Sequence, residues 1–175
     1  MKKISMVAMG LLLAAAQVNA AEASDGLIRF EGAISSQTCT INVAGNGPSP
    51  TIPLPKVATA AFADSKVAGT TRFTMALSNC STQTGEVYAH FEQGNNVNAD
   101  GRLINIGTAK NVDVRLLDSE NNPINAGSTT QSEAAKKVPL KDGAATLTYS
   151  AQYFATGAPE SGSVSASVNY SINYM

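Results

Sequence analysis

From Val164 to Tyr174 the chain alternates without a break. Val164, Ala166, Val168, Tyr170, Ile172 and Tyr174 hold the even positions, and Ser165, Ser167, Asn169, Ser171 and Asn173 the odd ones. Successive side chains of a β-strand point to opposite faces, so this run predicts a strand with one apolar face and one wet face. Shorter runs repeat the pattern: Phe73-Met75-Leu77, Val87-Ala89-Phe91, Val112-Val114-Leu116 and Leu147-Tyr149-Ala151-Tyr153. Thr38 to Val43 is rich in β-branched residues, which favour strands. Turn chemistry separates the runs, at Gly45-Asn46-Gly47-Pro48, Gly94-Asn95-Asn96, Asp100-Gly101, Asn121-Asn122-Pro123 and Asp142-Gly143. The Ala-rich stretch Lys56 to Ala68 is the one place that predicts a helical turn. Many short strands joined by turns in a chain of 175 residues predict a single all-β sandwich.

The start of the chain is an address. Lys2 and Lys3 precede an apolar run from Ile4 to Ala16, and Gln17-Val18-Asn19-Ala20 ends it with small residues. That order is a secretory leader, and its apolar part is too short to span a bilayer comfortably. Residues 1–20 are read as the signal peptide, with cleavage after Ala20; Ala21 and Ala23 are alternative sites. Export implies an oxidising compartment, where two thiols most simply pair. Cys39 and Cys80 are the only cysteines, so they are read as one structural bridge. Cys-x-x-Cys spacing, which a redox pair would show, is absent.

Several chemistries are excluded or unsupported. Charged residues are 14% of the chain and the net charge is −1, a poor basis for binding nucleic acid. His90 is the sole histidine, which rules out a multi-His metal site. It lies in the Val87–Phe91 run opposite the apolar residues, so the expected place is a strand's solvent face. No phosphate-cradling motif occurs, and Gly94 to Gly107 lacks the carboxylate spacing of a calcium loop. A pair of carboxylates on the glycosidase plan stays open by sequence alone. The reading is therefore of a protein that is no enzyme, with no catalytic residue, cofactor, metal or small-molecule substrate.

The two ends of the exported chain belong together. A sandwich strand that closes a chain leaves an open edge unless a neighbour covers it. The exported N-terminus alternates too: Ser24, Gly26, Ile28, Phe30, Gly32. One end can give a strand and the other receive it, the arrangement of β-strand addition. Here the sequence resembles the pilin subunits of chaperone–usher fimbriae, most closely the type 1-like major subunits. The resemblance rests on Gly26 to Ile34 followed by Cys39-Thr40-Ile41, on Phe73-x-Met75-x-Leu77-x-x-Cys80, and on Val112-x-Val114-x-Leu116-x-Asp118. It rests further on Leu147-x-Tyr149-x-Ala151-x-Tyr153-x-Ala155-x-Gly157, and on Gly162 paired with a penultimate Tyr174.

The resemblance implies an incomplete immunoglobulin-like sandwich that lacks its last strand and is completed by a donated one. Residues 21–33 would be the N-terminal donor extension and 34–175 the pilin domain. Ser24, Gly26, Ile28, Phe30 and Gly32 would face the next subunit. Gly162, Val164, Ala166, Val168, Tyr170, Ile172 and Tyr174 would form the acceptor groove and the strand held by a chaperone. The implied partners are a periplasmic pilus chaperone, an outer-membrane usher and neighbouring pilin subunits. The implied product is a fimbrium on the cell surface, serving adhesion or biofilm formation. Ser24 departs from the pattern, being small and polar at the head of the donor series. A slip of one residue would present Leu27 instead, because register decides which face every side chain takes. A complete, monomeric secreted binding sandwich and a minor adaptor subunit are the competing readings.

Overall fold

The computed structural model describes residues 39–175. The signal peptide and the donor residues Ser24, Gly26, Ile28, Phe30 and Gly32 lie outside the described residues. Among the described residues eight strands form two antiparallel sheets. They are β1 (Thr40–Val43), β2 (Val67–Ser78), β3 (Thr84–Phe91), β4 (Lys110–Leu117), β5 (Pro123–Ile124), β6 (Val138–Lys141), β7 (Ala145–Glu160) and β8 (Tyr170–Tyr174). One sheet has the order β1-β2-β7-β4-β5 and the other β6-β3-β8.

The four shorter alternating runs fall inside these strands. Met75 and Leu77 of β2, Val87, Ala89 and Phe91 of β3, and Val112, Val114 and Leu116 of β4 are all buried. So are Leu147, Tyr149, Ala151 and Tyr153 of β7. These side chains meet between the sheets in one cluster, and Tyr149 packs edge-on against Phe91 with ring centroids 5.1 Å apart. Tyr88 breaks the alternation: it is buried at 5% exposure although it has the opposite parity. His90 lies in β3 opposite Ser171 and is half-buried.

Local chemistry explains the connections. Asp142 and Gly143 both take positive φ, 49° and 69°, which gives the tight hairpin between β6 and β7. The helical expectation for Lys56 to Ala68 resolves to a single 3₁₀ turn, Thr59–Phe62. A second short turn is α1 (Gln131–Ala134). The anticipated bridge is present: Cys39, just before β1, is bonded to Cys80, just after β2.

Two strands escaped the periodicity, and each carries a proline, Pro123 in β5 and Pro139 in β6. Both strands are sheet edges, where a residue without an N–H is tolerated. The last run also differs from expectation. Ladder pairing is confined to Tyr170–Tyr174. Ahead of it, residues 163–165 cross the 105–109 segment, where side chains take over ladder positions. Asn105 Oδ1 accepts the Ser165 N–H at 2.9 Å, and Thr108 Oγ1 accepts the Ser163 N–H at 2.9 Å. Two backbone bonds remain, from Ile106 N–H to Ser165 and from Ala109 N–H to Ser163.

Candidate functional site

The terminal strand keeps the alternation that the sequence predicts, but only half of its burial. Val164, Ala166, Val168, Tyr170, Ile172 and Tyr174 are all half-buried, and Ser165, Ser167 and Asn169 are exposed. In β7 the equivalent core-facing residues are fully buried. The even-numbered side chains pack against the central cluster, yet one flank of each stays uncovered.

The pairing shows which flank. Among the described residues β8 has one ladder partner, β3, with Val87 opposite Tyr174, Ala89 opposite Ile172 and Phe91 opposite Tyr170. That pairing runs to the last residue, since Met175 exchanges both backbone bonds with Glu86. The other edge of β8 faces the strip 39–48, which holds β1 and its following turn. Among the described residues only side chains reach across. The Tyr170 hydroxyl donates to the Pro48 carbonyl at 2.7 Å, and the Tyr174 hydroxyl donates to Cys39 Sγ at 3.1 Å. Burial pushes both phenols above their ordinary pKa, so both remain donors well into alkaline solution. On the far side β1 is itself an edge among the described residues, paired there only with β2. Half-buried Ile41, Ile52 and Leu54 continue the apolar surface. The molecule thus presents two strand edges, one from each sheet, with an apolar floor and no strand between them among the described residues.

The opposite edge of the three-stranded sheet is closed. Strand β6 pairs with β3 only as far as Val87. Beyond it, the Ala89 N–H donates to the Tyr149 hydroxyl at 3.0 Å. The Phe91 N–H donates to Gln131 Oε1 at 2.7 Å, and Gln131 Nε2 donates back to the Phe91 carbonyl at 3.0 Å. The Gln131 amide therefore stands in for a peptide group of a neighbouring strand. The sequence offers no signal for that role, because a lone Gln beside Ser and Glu reads as loop.

Gly162, expected from the resemblance alone, has a steric reason. A Cβ at Gly162 would collide with the backbone of Thr108 and Ala109, and one at Gly107 with the Ser163 carbonyl. The two segments cross in backbone contact, which only glycine allows. We expect Gly162→Ala to destabilise the domain by about 1–3 kcal/mol, the usual cost of forced overpacking. A lower guanidinium midpoint would report it. An unchanged midpoint would show that the crossing opens freely.

The comparisons with known proteins agree in kind. The family model described as Fimbrial protein matches residues 28–175. The chain is 38% identical to the F17 fimbrial protein of Escherichia coli, covering 99% of each chain. It is 40% identical to the major fimbrial subunit SMF-1 of Stenotrophomonas maltophilia, covering 93% of this chain and 99% of that one. Among solved structures, the P pilus rod subunit superposes with a TM-score of 0.60 at 21% identity, covering 78% of this chain and 99% of that one. A chaperone–usher pilus subunit superposes with a TM-score of 0.60 at 22% identity, covering 87% and 96%.

Proposed function

The chain belongs to the fimbrial protein family, and from that premise we propose that it is a structural subunit of a chaperone–usher fimbria. Its work is mechanical. The subunit receives a strand from the next copy along its β8 edge and gives one from its own N-terminal extension. The observation that carries this reading is the terminal strand: alternating, half-buried, and paired on one side only among the described residues.

The physics of the exchange follows from that edge. A donated strand satisfies the free backbone groups of β8 and lays alternate side chains on the apolar floor. In the extension, residues 21–33, Ile28 and Phe30 are the large apolar members of the series. Fully burying such a side chain contributes about 1.5–3 kcal/mol, so these two supply most of the side-chain gain. Gly26 and Gly32 fit where the backbone must lie close. Because the giving and receiving surfaces differ and need not close into a ring, the contact propagates as an open filament.

An uncovered edge of this length invites aggregation. A periplasmic chaperone that lends a strand until an outer-membrane usher releases the subunit answers that hazard. The route then runs through the periplasm to a fimbrium at the cell surface.

The test is a gel. The gene is expressed with its own chaperone and usher genes, the cell surface is sheared, and the material is run with mild and harsh heating in detergent. We expect high-mass material that collapses to one band of mature size only under harsh heating. A single monomer band in both lanes, from soluble folded protein, would mean that the sandwich is complete by itself.

A further inference from the structure

Between the closed edge of β3 and α1 lies a cavity of about 270 Å³. Ala89, Ile124, Ala134 and Ala135 give it an apolar wall, Lys136, Asp118 and polar residues of the 122–131 segment form its other side, and Tyr149 lines it as well. Tyr149 is 5% exposed. Its hydroxyl oxygen accepts the Ala89 N–H, but its own proton has no acceptor among the described residues. Buried hydroxyl donors nearly always have one.

The charged neighbours are already engaged. Asp118 Oδ1 accepts the N–H groups of Glu120 and Asn122 at 2.8 Å each, and Oδ2 accepts the Asn122 amide at 3.0 Å. The Lys136 ammonium is paired with Glu120.

We propose that this cavity binds a small neutral molecule with an apolar body and one hydrogen-bond acceptor, which takes the Tyr149 proton. Its size is just below the usual range of ligand pockets, so a molecule of one ring is the largest that fits the space. The apolar wall disfavours any unpaired charge, and the Asp118 carboxylate disfavours an anion in particular. Burial raises the Tyr149 pKa, so the donor is retained throughout the neutral range. The cavity lies on the β6 side of β3, away from β8, and its occupancy does not depend on strand exchange. A bound molecule would hold α1 against β3 and raise the subunit's resistance to unfolding by mass action.

The experiment is fluorine NMR on the native protein, whether recovered from the cell surface or from the periplasm. Its outcome is therefore separate from the question of fibre formation. The probe is 4-fluoroacetophenone, whose carbonyl is the acceptor, and 4-fluorotoluene is the comparison without one. We expect saturable line broadening for the ketone and at least fivefold weaker binding of the toluene. Ala135→Leu, which fills the space, should abolish the effect. Tyr149→Phe should reduce ketone binding to the level of the toluene. The proposal is overturned if the ketone gives no saturable broadening, if both probes bind equally, or if Ala135→Leu leaves ketone binding intact.

Discussion

Removing Ala21 to Gly32 while keeping the leader should abolish fibres and leave the subunit in the periplasm bound to its chaperone. The described residues, 39–175, would remain as a receiver, with β8 and its floor unchanged. It could accept a strand but could not give one. Assembly needs both halves in every copy, so the expected effect is complete: no high-mass material in sheared fractions, and a stable chaperone complex on co-purification. Fibres of normal length from such a chain would sink the donor role. The result would then place Ala21 to Gly32 as a dispensable tail.

Two point substitutions refine this expectation into a test of register. Phe30→Asp would put a carboxylate into an apolar floor, where an unpaired charge is costly enough to stop docking. Leu27→Asp would leave the charge in water if Ser24, Gly26, Ile28, Phe30 and Gly32 face inward. The proposed register therefore expects no fibres from the first variant and normal fibres from the second. The reverse outcome would mean a slip of one residue, which exchanges every inward and outward side chain.

How much of this could be read from the sequence follows from what a strand's neighbours do to its composition. Strands with one face in the core announced themselves: Met75 and Leu77, Val112 to Leu116, and Leu147 to Tyr153 alternate because one face is dry and the other wet. The terminal run was legible for the same reason. Its half-burial was not, because alternation records which face is apolar and not how well that face is covered. The edge strands β5 and β6 were invisible. Two to four residues with a proline carry too little pattern, and their place is set by β4 and β3. Strand β7 runs on to Glu160, past the alternating series that the sequence shows, because β4 still pairs with it at Lys110 opposite Glu160. The 163–165 crossing depends on Asn105 and Thr108 side chains replacing backbone partners, a tertiary event with no local signature. Gln131 is the same kind of case. Its two bonds to Phe91 join residues 40 apart in sequence.

Loss of the Cys39–Cys80 bridge is the second large effect. The bridge closes a loop with a sequence separation of 41, and the chain-entropy account puts its contribution at about 4 kcal/mol. Against a typical domain stability of about 5–15 kcal/mol, that is about a quarter of the total or more. Position adds to the effect. Strand β1 has four residues, pairs only with β2 among the described residues, and forms one lip of the opening beside β8. So short an edge strand is marginal without support. The bridge fixes it at the Thr40–Ser78 end of the ladder, and the Tyr174 hydroxyl rests on the same sulfur. Replacing both cysteines by serine avoids a reactive free thiol. The expected result is a several-fold fall in periplasmic subunit and a lower guanidinium midpoint for what survives. Tyr174→Phe serves as the comparison, since it removes the contact with Cys39 and keeps the bridge. It should cost far less, because one hydrogen bond contributes only about 0.5–1.5 kcal/mol. Normal accumulation of the double serine variant would show that β1 is held by its ladder and its apolar contacts through Ile41 and Val43 alone. The lip would then be a property of packing, and the bridge dispensable to the site.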